Sequence, residues 1–149
     1  MTEDFYRAIN QAFDLNEMNP RETAPLVLAY LGDTVYEVIV RTCESSKGNR
    51  QTGKLNRDSI KYVNAGSQAR MIEALLPFLS EEEEGYYRRG KNAHTATTAK
   101  NATKSDYHKA TGFEALIGYL YISGQTERMF ELVKQGMALL KEKQTKKPD

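Results

Sequence analysis

Two acids sit where a packed core would take none: Asp33 inside LVLAYLGDTVYEVIV and Glu114 inside TGFEALIGYLYI. An ionised carboxylate among Leu, Val, Tyr and Ile loses several kcal/mol of hydration unless a cation, an arginine or a set of donors replaces the water. Neither stretch carries a basic residue before its end. A divalent metal held between two helices is therefore an economical compensator, and phosphate chemistry an economical use for it. The other compensation open to each acid is a set of hydrogen bonds from neighbouring backbone or an arginine. Glu37 lies one helical turn beyond Asp33, on nearly the same face but less deep in the apolar run, and Arg41 four residues on explains it as half of a surface ion pair.

The elements that must position these acids are helices. Apolar residues recur at three and four rather than two, and no Asn-Gly or Asp-Gly hairpin signal occurs, so the fold class is all-α. The pattern predicts a first helix over residues 4–15. A long, almost fully buried helix follows from about Pro25 to Cys43, capped by Thr23, and a polar loop from Ser45 to Gly53. Further helices are predicted over Leu55–Val63 and Ala65–Leu79. Ser80 with Glu83 fits a capping box that opens another helix on the acidic run Glu81 to Glu84. A helix from Asp106 to Ile122 carries Glu114, and a last one runs from Glu127 to Lys141 before a flexible charged tail over 142–149. Gly32 and Gly118 lie inside the two acid-bearing helices. An interior glycine costs about 1 kcal/mol and is tolerated mainly where another backbone or a ligand comes close, so these two helices are expected to cross and face their carboxylates together.

A second feature lies between the acids. From Arg88 to Lys109 the chain carries Arg88, Arg89, Lys91, Lys100, Lys104 and Lys109 against Asp106 alone, a local net charge of about +5. Within RRGKNAHTATTAKNATK the Asn and Thr side chains, Asn92 and Asn101 among them, can donate to phosphate oxygens or ribose hydroxyls. A basic loop beside a metal site is what a nuclease needs to hold a phosphodiester backbone.

The remaining composition narrows the classes. A chain of 149 residues with 40% apolar and 28% charged residues is read as one globular domain, 1–149. Its net charge of +1 carries no argument by itself. The single Cys43 excludes an internal disulfide and a cysteine-based zinc site, and is read as a small buried side chain. Two histidines exclude a three-histidine site, and His94 and His108 are read as a loop and a helix-surface residue. The first residues lack a signal-peptide core and no apolar run reaches about 18 residues, so the expected location is the cytoplasm, without a membrane span. No Walker sequence, dinucleotide fingerprint or serine elbow is present.

LAYLGDTVYEVIVR resembles the signature of the ribonuclease III family, and FEALIGYLY resembles that family's second acidic motif. With RRGKNAHTATTAKNA, the chain is similar over residues 20–135 to the small bacterial branch called Mini-ribonuclease III. The resemblance implies a ribonuclease III catalytic-domain-like helical bundle: a homodimeric, Mg²⁺-dependent endonuclease of double-stranded RNA. It also implies maturation of the 23S ribosomal RNA precursor, helped by a large-subunit ribosomal protein. Asp33 and Glu114 match the family's catalytic, metal-binding aspartate and glutamate. Arg88, Arg89, Lys91, Asn92, Lys100, Asn101 and Lys104 are the expected substrate contacts. Ala29 and Thr111 stand where larger relatives carry two more acids, a loss compatible with Mg²⁺, which takes few protein ligands. The mechanism expected is attack on phosphorus by metal-activated water, leaving a 5′-phosphate and a 3′-hydroxyl. A non-catalytic helical RNA-binding or assembly module is the rival reading, and a hydrolase of small phosphorylated substrates a weaker one, since it would want histidine ligands and a closed pocket.

Overall fold

A computed structural model of the chain describes residues 4–93 and 103–145. Among them there are seven α-helices and no strand: α1 (Phe5–Ala12), α2 (Pro25–Ser45), α3 (Thr52–Val63), α4 (Ala65–Leu75), α5 (Glu81–Asn92), α6 (Lys104–Ile122) and α7 (Thr126–Thr145). Short 3₁₀ turns at Pro20–Glu22 and Leu76–Phe78 precede α2 and follow α4.

Local chemistry sets most of the boundaries. Ser80 and Glu83 form the expected capping box, the Glu83 amide donating to Ser80 Oγ at 3.1 Å and the Ser80 amide to Glu83 Oε1 at 2.8 Å. Asn64 Oδ1 caps α4 by accepting from the Ser67 amide at 2.8 Å. Thr103 caps α6 in the same way through the Asp106 amide, at 3.0 Å, so α6 starts two residues earlier than its apolar pattern indicates. The N-cap of α2 is Ala24 rather than Thr23, because the Thr23 hydroxyl turns back to the Asn19 carbonyl at 2.7 Å. Pro77 ends α4 early, since a proline cannot donate to the helix ladder. At the far end α7 continues to Thr145, so residues 142–145, expected in a tail, are helical.

The core is built around α6. From Ala110 to Ile122 it is buried on all sides except at Glu114 and Tyr121, and it packs against α2, α4, α5 and α7. Phe113, Leu116, Ile117 and Leu120 meet Leu28, Tyr36, Val40, Met71, Ile72 and Leu75 there. Tyr36 is enclosed among them and its hydroxyl donates to the Tyr62 carbonyl at 2.8 Å, so burial holds its pKa well above the usual tyrosine value.

Two expectations fail on the same helix. The apolar run of α2 is not fully buried: Val27, Tyr30 and Val38 are exposed, Tyr30 at 74%. The spacing 27, 30, 34, 38 makes one exposed stripe of the helix. Cys43, read as buried, is exposed near the end of the same helix. Apolar residues toward a core and apolar residues toward solvent look alike in a sequence.

Candidate active site

The two acid-bearing helices meet at their glycines. A Cβ on Gly32 would lie 1.8 Å from the Glu114 carbonyl oxygen, and one on Gly118 would lie 2.0 Å from that of Leu28. No side chain larger than hydrogen fits either place, so α2 and α6 cross with main chain against main chain. Asp33 follows Gly32 in sequence and Glu114 supplies the touching carbonyl, so the crossing brings the two carboxyl groups together in one cleft.

Their settings differ from the expectation in one respect. Glu114 is largely enclosed, but Asp33, expected deeper than Glu37, is exposed, while Glu37 is half-buried. The reason is the open stripe of α2: Asp33 lies beside the exposed Tyr30 and Thr34, where the cleft between α2 and α6 opens to solvent. Glu37 pairs with Arg41 at 3.4 Å, as its spacing predicts.

Burial first, and then the neighbouring Asp33 carboxyl, pushes the Glu114 pKa up to about 9, with the charge of Glu37 adding to the effect and the amide of Gln68 opposing it. Among the described residues no arginine or lysine compensates it, which leaves a place for a proton or a cation. Among the described residues no group of three or more His, Cys, Asp or Glu side chains converges on one point. The donor set is therefore two carboxylates, which suits a hard ion that keeps several waters and takes oxygen ligands from its substrate.

The acids open into a cleft of about 290 Å³ lined by Leu26, Ala29, Tyr30, Asp33, Thr34, Tyr107, Thr111 and Glu114. Ala29 and Thr111, the positions without acids, thus line the same cleft and contribute no charge. The Thr111 hydroxyl is engaged with the Tyr107 carbonyl at 3.0 Å. On α6 the spacing 104, 107, 111, 114 forms one stripe that runs from exposed Lys104 through Tyr107 and Thr111 to Glu114.

The basic residues divide. Arg88, Arg89, Lys91 and Asn92 lie on α5 rather than in a loop, and they do not line the cleft. Their helix is fixed against α6 where Gly90 and Gly112 let it approach closely. Arg88 is 4.0 Å from Glu84, and Arg89 lies over the Tyr86 ring at 4.2 Å; both are exposed. Lys109 is taken by Glu73 in an ion pair that ties α6 to α4. Lys100, Asn101 and His94 lie outside the described residues. His108 is half-buried rather than on the surface.

Gln68 is the residue that the sequence reading missed. It is 4% exposed, on α4 beside Glu114, and its Nε2 has no hydrogen-bond partner of full geometry. The signal was present: Gln68, Ile72 and Leu75 share the buried face of α4, so a polar group interrupts an apolar stripe as Asp33 and Glu114 do.

Comparison with known proteins places the chain in a family. The Ribonuclease III domain family matches residues 26–125, a span that holds both acids. Mini-ribonuclease 3 of Brevibacillus brevis is 46% identical over 122 residues, covering 82% of this chain and 91% of that protein. Mini-ribonuclease 3 of Clostridium tetani is 44% identical over 131 residues, covering 87% and 83%. A crystal structure of a Fusobacterium nucleatum protein superposes with a TM-score of 0.74 at 28% identity, covering 78% of this chain and 96% of that one.

Proposed function

The chain belongs to the ribonuclease III family, in its Mini-ribonuclease 3 branch, and is an endoribonuclease; from that premise we propose that it cleaves double-stranded RNA at the Asp33–Glu114 pair in a Mg²⁺-dependent reaction. The observation that carries this reading is the pairing of an enclosed, uncompensated glutamate with a solvent-facing aspartate across a main-chain crossing. Asp33 and Glu114 would hold the divalent ion, directly or through water. When bound, it neutralises charge on a phosphate oxygen and lowers the pKa of water, which favours hydrolysis to a 5′-phosphate and a 3′-hydroxyl.

The chain's own residues do the rest. Tyr30, Leu26 and Tyr107 wall the cleft on either side of the acids. Lys104 stands at the open end of the Glu114 stripe, where a phosphate running along the cleft would meet it. Arg88, Arg89, Lys91 and Asn92 offer backbone contacts along α5, and Lys100 and Asn101 extend the same basic segment. The substrate proposed is the precursor of 23S ribosomal RNA, presented with the help of a large-subunit ribosomal protein in the cytoplasm. Among the described residues no helix is long and apolar enough to cross a membrane.

A duplex has two strands, and one cleft addresses one of them. The exposed stripe of Val27, Tyr30 and Val38 supports a homodimer, because it offers apolar surface at the edge of the cleft. Beside it, hollows of about 700 and 320 Å³ share Val38, Ile39 and Phe130 as lining. In the homodimer each copy would present its own Asp33–Glu114 pair to one strand.

The test uses long double-stranded RNA with Mg²⁺ or EDTA. Wild-type protein is expected to cut only with the metal, and Asp33→Ala is expected to fold normally and to cut at least about 10³-fold more slowly, about 4 kcal/mol in barrier. Near-normal cleavage by the variant would end the assignment of Asp33. Charge reversal at Arg88 or Arg89 is expected to weaken RNA binding and to flatten its dependence on salt by about one unit of slope per lost phosphate contact. An unchanged slope would remove α5 from the interface.

A further inference from the structure

We infer that Gln68 is a positioning residue for Glu114, an amide held inside the core so that its N–H groups face the carboxylate and fix its orientation toward the ligand. The inference rests on the reading that Asp33 and Glu114 hold a divalent cation.

The argument starts from cost. Gln68 sits in the first turn of α4 with its neighbours Ser67, Ala69, Met71 and Ile72 also buried. An amide nitrogen withdrawn from water without a partner costs about 1–3 kcal/mol, and a methionine of nearly the same length would fill this place without that cost. The side chain of Gln68 reaches Glu114, the one acid of the pair that the core encloses, yet Nε2 completes no hydrogen bond with full geometry.

Orientation is the second part. The Glu114 side chain has three rotatable bonds, and the cleft beside it is lined by Leu26, Ala29, Tyr30, Asp33, Thr34, Tyr107 and Thr111. Thr111 is committed to its own helix through the Tyr107 carbonyl. Gln68 is a polar group beside the glutamate, and it acts from α4, an element that carries neither acid. Outer groups that orient ligating carboxylates in this manner change metal affinity by about 10- to 100-fold when removed.

The experiment measures metal binding by the protein alone. Mn²⁺ is titrated into wild-type protein and into Gln68→Leu, Gln68→Met and Glu114→Gln, with free Mn²⁺ followed by electron paramagnetic resonance and Tm measured in EDTA. The two Gln68 variants are expected to bind Mn²⁺ about 10-fold more weakly or worse, with a Tm equal to or above that of wild type. Gln68→Met with wild-type affinity overturns the inference, as does a loss of affinity matched by a fall in Tm, which would mark Gln68 as packing only. If Gln68→Leu fails to fold, the unbranched methionine variant decides. Failure of the metal reading itself looks different: Glu114→Gln would then bind Mn²⁺ as tightly as wild type.

Discussion

Glu83 and Glu114 are both acids carried into the interior by helices, and they meet opposite surroundings. Glu83 is gripped by Arg128, whose Nε and Nη2 donate to its two oxygens at 2.8 and 2.9 Å while Nη2 also donates to the Phe78 carbonyl at 2.8 Å. The Arg128 guanidinium, with the capping serine, holds the Glu83 carboxyl below its ordinary range despite burial. Glu44 repeats the arrangement. Burial pushes its carboxyl up, but Lys47 at 3.0 Å and Arg50 at 3.3 Å outweigh it, and Arg50 also bonds Asp58. Among the described residues Glu114 has no such partner, and the charged groups that act on it are acids. An acid answered from within the chain fastens elements together; an acid left unanswered at a cleft awaits something from solution.

The sharpest way to break this contrast is Glu114→Gln, for which two effects of opposite sign are expected. Cleavage of double-stranded RNA should fall by about 10³-fold or more. Stability of the metal-free protein should rise by about 1 kcal/mol, read as a Tm higher by about 3 °C, because an amide is enclosed without having to take up a proton on folding. If both quantities fall, Glu114 is a structural acid like Glu83.

Arg128→Met is the counterpart. It leaves Glu83 enclosed without its cation, and denaturant unfolding should show a loss of about 2–4 kcal/mol, below the value for a fully buried pair because Arg128 is partly exposed. Cleavage per folded molecule should not change.

The two acids should also separate by pH. The folded-state pKa of Glu83 lies below its ordinary 4.5, so its contribution to stability is complete above that value and is lost as pH falls through it toward the lower folded value. Arg128→Met should therefore show a shallower loss of stability on acidification. Glu114 works the other way in the metal-free protein. Between 4.5 and about 9 the folded state keeps a proton that the unfolded chain has released, so stability falls as pH rises across that interval. Glu114→Gln should remove this slope, and an unaltered slope would contradict the setting described for Glu114.

The smallest effect is expected at Glu37, whose partner Arg41 is exposed. Glu37→Gln should change stability by no more than about 0.5 kcal/mol, and a larger change would give that residue a part in the acidic site.

The acids and the glycines of the crossing were readable from residue type alone, because each breaks an apolar helical pattern in a way that costs energy. The capping box at Ser80 was readable because its two partners lie three residues apart. Contacts between distant residues were not. Arg128 lies 45 residues beyond Glu83, and nothing local in either segment announces their bond. The exposure of Asp33 was misread because the apolar residues around it face two ways, some toward α6 and others toward open surface. Gln68 was overlooked because one amide in an apolar stripe is a weaker signal than a charge.

The contact at Gly32 and Gly118 has a consequence for how this molecule could be altered. The spacing between the main-chain positions that carry the two acids is set where one backbone rests on another, so it acts as a fixed gauge from which the two side chains reach. Residues around it, such as Leu26, Tyr30, Tyr107 and Thr111, can be exchanged to reshape what the cleft admits without resetting that gauge. Sculpting the walls and keeping the calibration are separate operations in this fold.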